Sequence, residues 1–326
     1  MLHSIIWFEN FLLHVKNMSN LRFITFLTAC LALLCTCSLG NSLKWEWASE
    51  PMQDTLLGKG TFTASKLLDQ KNVTAGASDY LWYMTEVVVN DTKIWGKPKL
   101  QVNTKGPIIY SFINGFWWGV EGGSPSKPGF VYEEYISLKR GTNIISLLSV
   151  TLGKSNCSGF IDMKETGIVG GHVKLISNEF PDNVLDLSQS TWSYKVGMNG
   201  LARKFYDPKS TNGVPWKTHN VSTGVPMTWY KTTFKTPEGS NLVVLDLIGL
   251  QRGKAWVNGK SIGRYWIGEN SSFRFYEVPR SLLNNDVNTL VLFEELGMGE
   301  GPLNVSVGII NDESRNFVKW DQGCLS

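Results

Sequence analysis

The chain has 326 residues, a formal net charge of +3, 12% aromatic residues, 13 tryptophans and five cysteines. Near-balanced charge, with no stretch in which Lys and Arg interleave with aromatics, argues against a nucleic-acid partner. The length beyond the N-terminal leader supports two domains of ordinary size, each with its own core.

Residues 1–43 differ in composition from everything that follows. From Leu21 to Gly40 a basic flank leads into an apolar run with a small-residue end, which reads as a secretory signal over 18–40, starting at Met18 and cleaved near Cys37 to Gly40. Residues 1–17 then read as an upstream extension. The competing reading is an uncleaved anchor, since the run approaches bilayer-spanning length. With cleavage, Cys30, Cys35 and Cys37 leave, and Cys157 and Cys324 remain as an even pair able to bridge in an oxidising compartment, or as two separate thiols. Beyond the leader, six Asn-x-Ser/Thr acceptors, at Asn72, Asn90, Asn156, Asn220, Asn270 and Asn304, fit export and glycosylation. The expectation is a secreted chain, with no membrane contact once the signal is removed.

The first module, 44–181, opens with Lys44-Trp45-Glu46-Trp47-Ala48-Ser49-Glu50-Pro51 and ends at a break around Phe180-Pro181-Asp182. Within it, Leu81-Trp82-Tyr83-Met84-Thr85 and Glu86-Val87-Val88-Val89 have strand texture, and Phe112-Ile113-Asn114-Gly115-Phe116 reads as strand, tight turn, strand. The second module, 182–326, repeats these markers. Asn258-Gly259 lies 144 residues after Asn114-Gly115, Thr228-Trp229-Tyr230-Lys231-Thr232 lies 147 after Leu81-Trp82-Tyr83-Met84-Thr85, and Asp286-Val287-Asn288 lies 145 after Gly141-Thr142-Asn143. Ordered markers at near-constant offset indicate two homologous, domain-sized repeats. Short alternating runs rich in Val, Ile, Tyr, Trp and Thr, without long helical periodicity, predict an all-β chain of two consecutive jelly-roll-type β-sandwiches.

Catalytic chemistry finds little purchase. Glycoside hydrolysis needs two carboxylates facing one another across a sugar. The candidates are Glu133-Glu134, Glu294-Glu295, Asp162, Glu165 and Glu179. Strand neighbours point to opposite faces, so each Glu-Glu pair reads as solvated carboxylates. His172 and His219 have no companions at metal-ligand spacing, and Gly58-Lys59-Gly60-Thr61 reads as a plain turn. No catalytic residue, metal or cofactor is expected. What remains is surface recognition. Trp117 and Trp118 follow one Asn-Gly turn and Tyr265 and Trp266 the other, where rings could stack on a sugar face while Asn258, Lys260 and Arg264 bond hydroxyls. Strand-embedded Trp82, Trp229 and Trp256 read as core, and core is also the competing reading for Trp117, Trp118 and Trp266.

Lys44-Trp45-Glu46-Trp47-Ala48-Ser49-Glu50, Ser78-Asp79-Tyr80-Leu81-Trp82-Tyr83-Met84-Thr85, Trp192-Ser193-Tyr194-Lys195-Val196-Gly197 and the run from Trp256 to Trp266 resemble, in order, the C-terminal part of plant β-galactosidases of glycoside hydrolase family 35. The resemblance implies secreted or vacuolar proteins acting on terminal β-galactosyl residues of wall polysaccharides, with a catalytic (β/α)8 barrel preceding the sandwiches. The family's barrel motifs have no counterpart here, and Asn178-Glu179-Phe180 is a superficial echo. The expectation is therefore a β-galactosidase-like protein of the apoplast or cell wall, non-catalytic alone, whose partners are galactosylated glycans. The alternatives are an accessory part docking on a separate catalytic barrel chain and a truncated gene product.

Overall fold

The computed structural model describes residues 43–123, 127, 129–151, 165–168, 172–267 and 274–310. The leader, Cys157, Cys324, Asp162, Asn156 and Asn270 lie outside the described residues. The described residues from Lys44 to Ile310 belong to one compact unit.

In chain order the elements are β1 (Glu46–Ser49), α1 (Gln53–Leu56), β2 (Phe62–Ala64), α2 (Gln70–Thr74), β3 (Tyr80–Val89), β4 (Lys99–Thr104), β5 (Ile108–Ile113), β6 (Phe116–Gly122), β7 (Phe130–Tyr135), β8 (Gly141–Val150), β9 (Val173–Ile176), β10 (Val184–Asp186) and β11 (Trp192–Val196). They continue with α3 (Asn199–Ala202), β12 (Thr228–Lys235), β13 (Leu242–Asp246), β14 (Arg252–Val257), β15 (Lys260–Trp266), β16 (Phe275–Val278), β17 (Val287–Glu294) and β18 (Ser306–Ile310). The strands build four antiparallel sheets, ordered β10-β9-β4-β7, β2-β11-β3-β8-β5-β6, β1-β12-β17-β14-β15 and β16-β13-β18. The expected all-β sandwich class is what the chain adopts.

Two cores sit on opposite faces of the six-stranded sheet. One joins Leu81, Tyr83, Ile109, Leu147 and Tyr194 to Leu100, Val102, Tyr132 and Leu175 of the four-stranded sheet. The other joins Tyr80, Trp82, Met84, Tyr110 and Leu148 to Trp229, Trp256, Val291 and Phe293 of the five-stranded sheet. A sheet covered on both faces has no wet side to alternate with, and β5 is accordingly buried at all six positions. Tyr265 of the five-stranded sheet meets Tyr276 of the three-stranded sheet edge to face, with ring centroids 6.5 Å apart.

The repeated turns are local chemistry. Asn114 and Gly115 have φ of 52° and 86°, and Asn258 and Gly259 have φ of 52° and 79°, the left-handed pair that a two-residue hairpin needs. Both hairpins carry a register shift at the equivalent step, Ser111/Phe112 and Ala255/Trp256. The sheets do not follow the division at residue 181, however. β1 pairs with β12, while β10 and β11 pair with strands that precede the break. Backbone pairing across that point leaves no mark in the local break at Phe180-Pro181-Asp182.

Candidate functional site

The aromatic residues that follow the two Asn-Gly turns lie on edge strands, β6 and β15. Phe116 is 74% exposed, Trp117 38% and Trp266 41%, among the more open large apolar side chains of the described residues. Trp118 is half-buried against the first core. Its Nε1 is buried without a hydrogen-bond partner. Trp117 pairs with Phe112, which belongs to the core between the two sandwiches, so its ring stands on that face of the sheet at the rim. Trp266 stands likewise opposite Arg252 on β14. Its backbone N–H donates to Tyr276 Oη (2.9 Å), fixing the strand end.

Asn258 faces inward rather than toward a ligand. Its Nδ2 donates to Asn288 Oδ1 (2.7 Å) and to the Leu282 carbonyl (2.8 Å), and its Oδ1 accepts from Thr289 N (2.9 Å). Asn114 repeats the brace, with Nδ2 donating to Asn143 Oδ1 (2.9 Å) and Oδ1 accepting from Ile144 N (3.0 Å). Lys260, beside the second turn, is exposed.

Arg264 also turns inward. It enters an ionic cluster at the junction of the six- and five-stranded sheets, where Nη1 donates to Glu295 Oε1 (2.7 Å) and Nη2 to Asp79 Oδ2 (3.1 Å). Lys254 Nζ lies 2.7 Å from the same Asp79 oxygen, and Arg252 Nε donates to Glu295 Oε2 (3.0 Å). Tyr80 Oη donates to Glu295 Oε1 (2.5 Å), and Arg252 also donates to Tyr110 Oη. The Arg252 guanidinium lies 5.6 Å from the centroid of the Tyr110 ring and 5.6 Å from that of Trp266. Trp266 thus closes the outer end of a cation–aromatic stack that crosses the junction.

Burial alone would raise the pKa of Asp79 and Glu295. The guanidinium of Arg264, with Lys254 for Asp79 and Arg252 for Glu295, outweighs it and holds both carboxyls below their ordinary range. Burial and the like charge of Arg264 push Lys254 down. Glu294, one residue away, points to the other face, where Gln251, Arg252, Leu296 and Gly297 donate backbone N–H groups. Burial still raises its pKa.

Reading Glu294-Glu295 as solvated is therefore corrected: both are buried, at 2% and 0% exposure. Their opposite orientation is as expected of strand neighbours. Glu133 instead bonds Lys99 and Gln101 on an exposed face, and Glu165 pairs with Lys105. No group of three or more His, Cys, Asp or Glu fit to hold a metal occurs among the described residues. Asn72, Asn90, Asn220 and Asn304 are all exposed. Sequence reasoning missed Asp79, Tyr80, Arg252 and Lys254. The available signal was a pair of cations at alternate positions, 252 and 254, in a strand whose flanks are apolar.

Residues 227–288, from the start of β12 to the start of β17, match the family described as the galactose-binding domain of beta-galactosidase. Over longer stretches the chain is similar to plant proteins. It is 33% identical over 293 residues to Beta-galactosidase 10 of Arabidopsis thaliana, covering 79% of this chain and 39% of that protein. It is 36% identical over 284 residues to Beta-galactosidase 6 of Oryza sativa subsp. japonica, covering 78% and 32%. To Beta-galactosidase 7 of the same plant it is 34% identical over 280 residues, covering 84% and 35%. The chain thus spans about a third of the length of these relatives.

Proposed function

Starting from a chain that belongs to the plant β-galactosidase family through its sandwich region, we propose that it acts as a galactosylated-glycan binding protein of the cell wall. The observation that carries this reading is the partial exposure of Trp117 on one edge strand and of Trp266, whose ring also meets the Arg252 guanidinium, on the other, in a chain whose second sandwich includes the matched galactose-binding region. An aromatic face with a polar surround suits the C–H face of a galactosyl unit. Arg264 and Asn258 serve this surface indirectly, by fixing the strand ends and turns that present the rings. Hydrolysis is not assigned to Glu294 and Glu295, which are held by backbone amides and by Arg252 and Arg264. Export belongs to the same proposal, with Asn72, Asn90, Asn220 and Asn304 as glycan acceptors.

The test is calorimetric titration of the secreted protein with β-galactan oligosaccharides, alongside hydrolysis of a chromogenic β-galactoside. Saturable binding without turnover is expected. Trp117→Ala and Trp266→Ala should each weaken binding about tenfold, equivalent to ~1.4 kcal/mol. Unaltered affinity in both variants would remove these rings from the site, and turnover would overturn the non-catalytic reading.

A further inference from the structure

The strands that open the two repeats have changed places. Trp45-Glu46-Trp47-Ala48-Ser49 and Trp192-Ser193-Tyr194-Lys195-Val196 are 147 residues apart, the same offset that relates Trp82-Tyr83 to Trp229-Tyr230. Each is a short strand followed by a one-turn helix, β1 then α1 and β11 then α3. By sequence, β1 is the opening arm of the first repeat and β11 that of the second. Yet β1 lies on β12 of the second repeat, with Trp47 opposite Tyr230, and β11 lies on β3 of the first, with Tyr194 opposite Tyr83. The two registers are equivalent residue for residue under the 147-residue offset. Anchoring follows the exchange. Trp45 meets Tyr230 edge to face, 6.4 Å between centroids, whereas Trp192 is fully buried in the core of the first sandwich.

After the exchanged strand each chain segment returns to its own repeat. Ser146 Oγ of β8 donates to the Thr55 carbonyl in α1, and Phe205, just beyond α3, packs on Trp229 at 5.5 Å. The segments meet where they cross. Gly200 N–H donates to both Glu50 oxygens (3.0 and 3.1 Å), Trp229 Nε1 donates to Glu50 Oε2 (2.7 Å), and Asn199 Nδ2 donates to the Pro51 carbonyl. A Cβ at residue 200 would sit 2.5 Å from the Glu50 carboxylate, so the crossing requires glycine there.

We infer that the chain is a reciprocal intramolecular strand exchange between two tandem repeats, and that each repeat's sheet edge is a docking surface for the other's arm. Neither sandwich is then separable from the other. A half cut at residue 181 lacks a strand its sheet requires and carries a strand with no sheet to join, the relationship that two subunits have in a swapped dimer.

The test uses the full chain with its five native cysteines replaced by serine and a protease site inserted between exposed Pro181 and Asp182. Ser49 and Thr228 are direct cross-strand partners, as are Val196 and Leu81, at Cα separations of roughly 4.5–5.5 Å that admit a disulfide. After mild oxidation, Ser49→Cys/Thr228→Cys and Val196→Cys/Leu81→Cys should each remain one band on a non-reducing denaturing gel once the inserted site is cut. The unexchanged pairings, Ser49→Cys/Leu81→Cys and Val196→Cys/Thr228→Cys, should retain two titratable thiols. Separation of the cut fragments in the first two variants, or disulfides in the second two, would overturn the exchange. A second readout guards against perturbation by cysteine. In the cut chain without added cysteines, the fragments should co-elute, lose near-ultraviolet circular dichroism when separated in denaturant, and regain it only when remixed. Native-like dichroism with cooperative unfolding in either isolated half would overturn the claim that the halves are inseparable.

Discussion

Glu295 shows how completely surroundings decide what a carboxylate does. Beside Glu294 it has the look of a surface residue, yet it is wholly buried between Arg252, Arg264 and Tyr80. Removing one member of such a cluster leaves the others charged and desolvated. Glu295→Ala should therefore cost about 3–5 kcal/mol of folding free energy, read from the urea midpoint. Trp117→Ala, on an exposed ring, should stay within ~0.5 kcal/mol of the parent while weakening glycan binding. Equal midpoints for the two variants would deny the junction a structural role. The failure to foresee this cluster has a physical cause. Its cations come from β14 and β15 and its anions from Asp79 and the end of β17, and nothing local in any of those strands records the others.

The hairpins are the opposite case, because everything they need is written within a few residues. Asn-Gly supplies the left-handed pair, and the turns at 114–115 and 258–259 fall where that chemistry placed them. Their bracing to Asn143 and Asn288 explains why Gly-Thr-Asn and Asp-Val-Asn recur as repeat markers, although only the recurrence, and not the bond, could be read from the chain. Glycine is required for two different reasons along this element. At Gly259, with φ of 79°, alanine would have room but the wrong backbone, costing about 1–2 kcal/mol. At Gly253 a Cβ would lie 1.8 Å from the Phe293 carbonyl oxygen, and because that atom is backbone, β14 would have to move off β17. Gly253→Ala should thus destabilise more than Gly259→Ala and accelerate amide exchange along β14 and β17, whereas Gly259→Ala should affect exchange only near the turn. The reverse order would mean that the β14–β17 contact yields more easily than the turn.

At the scale of the whole molecule, stacked sheets enclose carboxylates shifted in both directions, and this sets where on the pH axis the fold is strongest. Glu50, in the strand crossing, and Glu294 are raised above the ordinary 4.5, chiefly by burial and against the pull of their hydrogen bonds. A carboxyl raised in the folded state binds its proton more tightly there than in the unfolded chain. Its contribution is therefore greatest at low pH and falls as pH climbs from the unfolded value through the folded one. Asp79 and Glu295, held below 3.8 and 4.5 by their cations, act oppositely: their contribution is present above those values and is lost as pH falls through the lowered ones. Lys254, depressed from 10.5, weakens the fold as pH drops from that value through its lowered one, and contributes no slope further into acid. These slopes together place maximum stability on the mildly acidic side, near the ordinary carboxylate range, with a decline toward neutrality and a second decline into stronger acid. Urea midpoints measured from pH 3 to 8 should trace that dome. Glu50→Gln, which cannot titrate, should lower the curve and flatten its neutral side, because the group that loses its proton there is gone. A midpoint that levels off just above pH 4.5 and stays flat to 7.5 would mean that the cation-bound carboxylates alone govern the response, and that Glu50 and Glu294 are ionised in the fold without penalty.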